Sequence, residues 1–327
     1  MKLLINSAAV YRSSRGVRRY YERIKPHLRA ELIESTPLSE SVFLSRVTSA
    51  MYRGRGDYLY WSPGHRVNVA ARHHVVTVHD CINLEYGRSG VRQSLVRALT
   101  QRTFDNAIHV VAISVATKSA ILRHYTVNEG KITVIPSPAI VSLDQAPKDD
   151  ELPVTIADPF VLMVTNPLRH KNGQNAVQAF AQSEAARLGF RLHVVGALDP
   201  RALRICAEQG IRLTNDASVT DELLKQYYSQ CSMLLSVSLA EGHNLPIAEA
   251  LSCGAPIVCS DIDVHREFYK DYAILVDPKN PDAIAAGISK SLTMTRGILA
   301  PIGGSVRDFV QVGSDYNALF GELSSAL

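Results

Sequence analysis

The sequence predicts an α/β protein built from two Rossmann-like domains, each with a parallel sheet, facing a cleft. Three observations lead there. Short apolar or β-branched runs alternate with amphipathic stretches along nearly the whole chain. A polar, proline-punctuated connection divides that alternation into two blocks. The 327 residues also exceed what one hydrophobic core usually serves, and domains of about 150 residues are the ordinary solution. Strands separated by helices require right-handed crossovers, hence parallel sheets.

The elements follow in order. Residues 3–5 form a first short strand, after which Gly16 opens a helical pattern. Val17, Tyr20, Tyr21, Ile24 and Leu28 fall at helical spacing, with Arg18, Arg19, Arg23, Lys25 and Arg29 around them. The β-branched run 75–78 reads as a buried parallel strand, and His73 and His74 before it are expected at the surface. A second basic amphipathic helix is placed at 91–104, and strands at 108–113 and 132–135 flank a helix at 115–124. Pro147, Lys148, Asp149, Asp150, Pro153 and Pro159 then mark a linker over 146–158, between domains at 1–145 and 159–304. Beyond it, strands at 160–164, 191–195, 233–237 and 256–259 alternate with helices at 175–185, 221–231, 246–252 and 281–290. The last segment, 305–327, predicts a closing helix that could pack back on the N-terminal domain, with Gly313 expected to interrupt it.

Composition narrows the function classes. Apolar residues make up 46% and charged residues 20%, the balance of a folded globular chain. No run approaches the roughly 18 uncharged apolar residues that a membrane-spanning helix needs. The opening stretch has only three apolar residues before Asn6, too short for a signal-peptide core. The five cysteines are odd in number and contain no C-x-x-C pair, so reduced thiols in a cytoplasmic protein are expected. Net charge is +4, unevenly spread. Residues 1–150 carry 21 Lys+Arg against 12 Asp+Glu, a net of +9, and the remainder carries a net of −5. A basic N-terminal half suggests an anionic partner: a phosphorylated ligand or an acidic membrane surface. Nucleic acid is not expected, because no zinc finger, RNA-recognition signature or basic zipper is present.

The chemistry concentrates between Ser236 and Gly254. There an apolar strand ends in a polar loop, and Asn244-Leu245-Pro246 reads as a helix start in which Asn244 can cap and Pro246 suits the first turn. Gly254 closes the helix. Its N-terminus is a natural seat for a phosphate. Glu241 and Glu249 stand eight positions apart, so they do not pair on one helical face but can address different parts of one ligand. The plainer alternative is a solvated loop acid and a surface helix acid.

These residues resemble the signature of the retaining glycosyltransferases of family GT4. The likeness lies in Glu241-Gly242 followed by Leu245-Pro246 and Glu249-Ala250, then Gly254-Ala255-Pro256-Ile257-Val258. It continues through Ser260-Asp261, Glu267 and Leu275-Val276-Asp277-Pro278. Upstream, Arg169-His170-Lys171-Asn172 after a strand, His79-Asp80 at a strand end, Ala112-Ile113-Ser114 and Val134-Ile135-Pro136 match further landmarks. The resemblance implies the GT-B fold, with the acceptor bound by the N-terminal domain and a GDP-, UDP- or dTDP-linked sugar by the C-terminal one. It implies that Glu249 accepts from the donor ribose and that Glu241 holds the sugar hydroxyls. Lys171, with Arg169, would neutralise the diphosphate, Gly16 would let backbone approach the phosphates, and His79 would sit near the anomeric carbon. Gly242, His243, Asn244 and Leu245 would complete the donor loop. One departure stands out: His243 and Asn244 replace the family's usual Phe and Gly.

Other motifs point elsewhere only weakly. Asp261-Ile262-Asp263 has the D-x-D form but follows a strand in an ordinary loop. No H-E-x-x-H, Cys/His cluster, G-x-G-x-x-G after the first strand or G-x-x-x-x-G-K-[ST] is present, so neither a metal nor a cofactor is expected. The expectation is a metal-independent transferase. It would move a sugar with retention to a glycan or lipid-linked acceptor in bacterial surface polysaccharide synthesis, peripherally at the inner face of the membrane. A catalytically silent GT-B scaffold and a sugar-nucleotide epimerase are the alternatives.

Overall fold

The computed structural model describes residues 2–11, 15–34, 58–65, 67–87, 90–138, 158–294 and 307–327. Two compact units emerge: Met1–Pro138 with Arg307–Leu327, and Ala139–Val306. All but one residue of the expected linker, 146–157, lie outside the described residues.

The first unit is a six-stranded parallel sheet made of β1 (Lys2–Ile5), β2 (Glu31–Glu34), β3 (Leu59–Ser62), β4 (His74–Val78), β5 (His109–Ala112) and β6 (Ile132–Val134). Their spatial order is β2-β1-β3-β4-β5-β6. Side chains alternate across the sheet, so Val75 enters one apolar cluster while Val76 and Val78 enter the other. The helix Arg15–Ile24 buries Tyr20, Tyr21 and Ile24 against the first cluster, leaves Arg18 exposed and sets Arg19 and Arg23 half-buried. Helices Val91–Asn106 and Val115–His124 complete the unit's expected elements.

The C-terminal helix belongs to this first unit and runs unbroken over Phe309–Ser325. Asp308 starts it with a capping box: its carboxylate accepts from the Gln311 amide at 2.8 Å, and the Gln311 side chain accepts from the Asp308 amide at 3.0 Å. Gly313 therefore does not interrupt the helix, contrary to expectation. It is a contact residue: a Cβ there would lie 2.5 Å from His27 Cβ. The helix-weakening effect of one glycine, about 1 kcal/mol, is outweighed by the close approach it permits.

The second unit repeats the plan with β7 (Phe160–Thr165), β8 (Arg191–Gly196), β9 (Leu213–Asp216), β10 (Met233–Ser236), β11 (Ile257–Ser260) and β12 (Ile274–Val276). Their order is β12-β11-β10-β7-β8-β9, all parallel. Phe160 and Leu162 face one cluster, Val161 and Met163 the other, as expected of a strand covered on both faces. From β7 the chain builds outward through β8 and β9, then returns to lay β10 on β7's other side. The carboxyl ends of β7 and β10 therefore flank a topological switch point, where open α/β sheets bind ligands.

His74 departs from the surface position expected of it. It is the first residue of β4, fully buried, with Nε2 at 2.8 Å from Ser62 Oγ. Burial lowers its pKa to about 3, so it stays neutral.

Candidate active site

The switch point of the second unit gathers residues that lie far apart in sequence. After β7 the chain makes a tight turn, Arg169–Lys171, ending at Asn172 in the left-handed conformation with φ 57°. The Asn172 amide donates to the Val237 carbonyl at 2.9 Å and to the Pro278 carbonyl at 2.7 Å. The Leu239 amide donates to the His170 carbonyl at 2.7 Å. The turn is thus fastened to the loop leaving β10, and that fastening fixes Lys171. Lys171 Nζ lies 2.6 Å from Glu241 Oε1, with side-chain exposures of only 17% and 9%. Arg169 is exposed.

Burial alone would raise the Glu241 pKa, but the Lys171 cation and its hydrogen bond reverse the sign, helped by Ser238 and His265. The carboxyl sits below its ordinary value and remains ionised. An ammonium has three donors, so Lys171 can hold Glu241 and still address an anion. The fold thus brings the basic turn and the loop acid into contact across 70 positions of chain.

Glu249 lies on the helix Leu245–Ser252 and is 6% exposed, which excludes the surface-acid alternative. The Tyr228 hydroxyl donates to its Oε2 at 3.2 Å. A carboxylate accepts at both oxygens, and this acid lies inside a helix whose Ile247, Ala248, Ala250 and Leu251 are buried around it. Gly254, at φ 70°, ends the helix as expected.

The two departures in the donor loop have distinct physical accounts. His243 is 4% exposed and packs edge-on to Phe268, with ring centroids 4.6 Å apart. It fills an aromatic slot, as a phenylalanine would, and is not a polar ring in solvent. Asn244 occupies the N-cap position but makes no side-chain cap bond. Its φ is 77°, the left-handed region that glycine favours and asparagine tolerates best among other residues. The backbone that glycine would supply is therefore kept. Gly242 is buried and Leu245 half-buried beside it.

In the first unit, His79 follows β4 and is half-buried. Its Nε2 lies 2.8 Å from the Pro63 carbonyl, which can only accept, so Nε2 carries the proton and Nδ1 keeps the lone pair. Tyr20 meets the ring edge-on at 4.8 Å. Burial depresses its pKa to about 4, with the Pro63 bond opposing, so the imidazole is neutral at pH 7. Gly16 sits in the first turn of the helix Arg15–Ile24, and a second helix, Ser7–Tyr11, separates it from β1.

Asp261 and Asp263 both turn to Arg266, at 2.6 Å and 3.2 Å, as a structural D-x-D should. Among the described residues, no group of three or more His, Cys, Asp or Glu could hold a metal ion. The five cysteines are free thiols, three of them buried.

Sequence reasoning missed three contributors. Tyr228, Tyr269 and His265 are buried polar residues touching the loop or its glutamates. Tyr228 stood four positions after Leu224 on an amphipathic helix, a pattern that reads as core. Helix Asp263–Tyr269, which carries the other two, has no side-chain cap and only seven residues.

Comparison with known proteins agrees with this geometry. Residues 12–140 match the family model described as Glycosyltransferase Family 4, and residues 158–294 match Glycosyl transferases group 1. The O-antigen chain mannosyltransferase B of Escherichia coli is 26% identical over 72% of this chain and 65% of its own length. The chain spans less than two thirds of the length of the curated relatives it matches. Among solved structures, WaaG, a glycosyltransferase involved in lipopolysaccharide biosynthesis, superposes with a TM-score of 0.64 at 14% identity, covering 100% of this chain and 98% of WaaG. Anabaena Alr3699/HepE in complex with UDP and glucose gives 0.61 at 16% identity, covering 98% of this chain and 95% of that one.

Proposed function

From a chain that belongs to the family 4 glycosyltransferases and has their GT-B fold, we propose a retaining, metal-independent transfer of a sugar from a nucleotide-diphosphate donor to a hydroxyl of a glycan or lipid-linked acceptor. The observation that carries this reading is the largely covered Lys171–Glu241 contact at the switch point, with the buried Glu249 on the helix that follows the same loop. Charged side chains are seldom withdrawn from solvent in an ordinary core, and the strand ends at a switch point are where open α/β sheets take ligands.

The roles are those that the family resemblance implies. Glu249 accepts hydrogen bonds from the donor ribose, and Glu241 holds hydroxyls of the transferred sugar. Lys171 stabilises the leaving diphosphate, with the exposed Arg169 as a second cation and the helix start Gly242–Leu245 as further donors. His79, which the family resemblance assigns to the anomeric carbon, is neutral with its proton on Nε2, so Nδ1 is an acceptor. The bond from anomeric carbon to phosphate oxygen breaks, and a bond to the acceptor oxygen forms on the same face. The acceptor proton passes to the departing diphosphate, so no side chain need act as nucleophile. The mannosyltransferase relative makes a mannosyl donor the first to try, in surface polysaccharide synthesis at the inner face of the membrane.

A titration of UDP, GDP, dTDP and their common sugars, followed by melting temperature with and without EDTA, tests this. One nucleotide at 100 times its dissociation constant adds about 2.7 kcal/mol of stability. Stabilisation unchanged by EDTA supports a metal-free donor site. No stabilisation by any of them moves the reading to a silent scaffold. Interconversion of free nucleotide sugars would identify an epimerase.

The acceptor side is read from the helix Val91–Asn106. It buries only Thr100, Thr103 and Phe104, while Val91, Leu95 and Val96 are exposed at 90%, 59% and 46%. Val91, Leu95, Ala98 and Arg102 align on one outward line, flanked by Arg92. Apolar residues among arginines suit an anionic bilayer. Leu95→Glu should abolish sedimentation with phosphatidylglycerol vesicles and leave donor binding intact. Equal sedimentation of both proteins would overturn the membrane reading.

A further inference from the structure

We infer that Asn244 and His265 form a positioning pair that holds the donor loop in its left-handed turn, the place of a glycine being taken by a tethered asparagine. The inference rests on the reading of that loop as the donor site. Its support is a chain of buried hydrogen bonds whose directions can be worked out one by one.

His265 is fully buried on the helix Asp263–Tyr269. Its Nδ1 lies 2.9 Å from the Ser260 carbonyl, which only accepts, so Nδ1 carries the proton. Nε2 is then an acceptor, and it lies 3.0 Å from Asn244 Nδ2. The same Asn244 amide nitrogen donates to Ser236 Oγ at 2.9 Å. Turning the amide over would set its oxygen against the imidazole lone pair, so the tautomer also fixes the amide.

Three consequences follow for the loop. Asparagine at φ 77° is conformationally disfavoured relative to glycine, and two side-chain bonds offset that preference. The Asn244 side chain, turned inward, is withheld from capping, although an asparagine at this position normally caps. Capping would draw its oxygen onto the first-turn amides that a phosphate needs. The helix Asp263–Tyr269 also grips the loop a second time, the Tyr269 hydroxyl donating toward the His243 carbonyl at 3.3 Å and the Asn244 carbonyl at 3.4 Å. His265 lies close enough to the ion pair that the Glu241 charge raises and the Lys171 charge lowers its affinity for a proton, while burial dominates and keeps it neutral. The pair therefore connects β10, β11 and the loop that runs from Glu241 to Glu249.

Four full-length variants test this: His265→Leu, His265→Gln, Asn244→Gly and the double variant Asn244→Gly, His265→Leu. Two readouts are taken: hydrogen exchange of peptides across 241–252 and the dissociation constant for whichever of UDP, GDP or dTDP stabilises the wild type. His265→Leu should speed exchange across 241–252 and weaken the nucleotide about tenfold, the scale of one buried hydrogen bond. His265→Gln, which can still accept from Asn244, should restore most of both. Asn244→Gly should protect the loop on its own and make the second substitution nearly silent, so that the double variant matches it. Additive effects, or a His265→Leu variant with wild-type exchange and nucleotide affinity, would overturn the inference even if its melting temperature fell. If the wild type binds none of the three nucleotides, the donor-site reading fails by itself, and the exchange pattern alone decides whether the pair holds the loop.

Discussion

The two units carry the same six-stranded parallel plan and handle their polar groups in opposite ways. The second buries charge: Lys171 and Glu241 in contact, and Glu249 beside them. The first sets neutral imidazoles along β4, His74 buried within it and His79 half-buried at its end. A charge taken out of water is tolerated only with a partner in place, and in the second unit Lys171 and Glu241 partner each other. A neutral ring needs only hydrogen bonds, and the first unit retains a half-buried acceptor while its positive charge stays available to a surface. Equal folds therefore do not mean equal sites.

Breaking the ion pair should have the largest effect. Lys171→Ala should lower kcat about 10²–10³-fold, the usual loss for one group that stabilises a leaving charge. It also leaves Glu241 in a largely buried place without its cation, so the melting temperature should fall as well. A variant that loses stability and keeps kcat would assign Lys171 to the scaffold. Glu249→Ala should weaken nucleotide binding, and Glu241→Ala should mainly slow transfer with binding less affected. Wild-type behaviour from both would mean that the site is misplaced within a correct fold.

A smaller effect separates the units by pH. His74, His79 and His265 have pKa values lowered to about 3, 4 and 4 by burial. Between those values and the unfolded 6.5, the unfolded chain binds more protons, so stability rises with pH. Melting temperature should therefore decline as pH falls from about 6.5 toward 4. His79→Asn should shallow that decline by one proton, whereas a flat profile would argue that these rings are not buried in solution. Glu241 acts in the same direction at lower pH: its lowered pKa gives stability that is full above the unfolded carboxylate value and lost as pH falls through the folded one.

The smallest effect belongs to Gly313→Ala. A methyl group there meets His27 Cβ at 2.5 Å, so overpacking should destabilise the protein by about 1–3 kcal/mol. If alanine instead stabilised it by its better helix propensity, the close approach of the C-terminal helix would be wrong.

Which parts were legible in the sequence depended on burial pattern. Strands β1, β4, β5, β7, β8, β10 and β11 were visible as apolar runs because both of their faces meet a core. Of the four edge strands, β2, β9 and β12 were not, β9 reading Leu-Thr-Asn-Asp and being only half-buried, whereas β6 was read at 132–135 from its β-branched run. β3 is central but only four residues long, with no alternation to count. Helix Pro200–Glu208 was missed although Asp199 caps it and Pro200 opens it, signals that stood in the sequence. Glu241, Glu249 and Lys171 could be singled out in the sequence because each sits in a short local motif. His265 and Tyr228 were not, since their roles exist only where helices from other parts of the chain meet them.

The sequence by itself determined the alternation of strand and helix, the division into two halves, the uneven charge and the identity of the signature residues, because all of these are set by local composition and spacing. Only the tertiary structure decided that Lys171 touches Glu241, that Glu249 is interior, that His243 fills an aromatic slot and that Asn244 turns inward to His265. Those are contacts between elements 20 to 70 positions apart, and no local propensity encodes which side chains a parallel sheet brings together at its switch point.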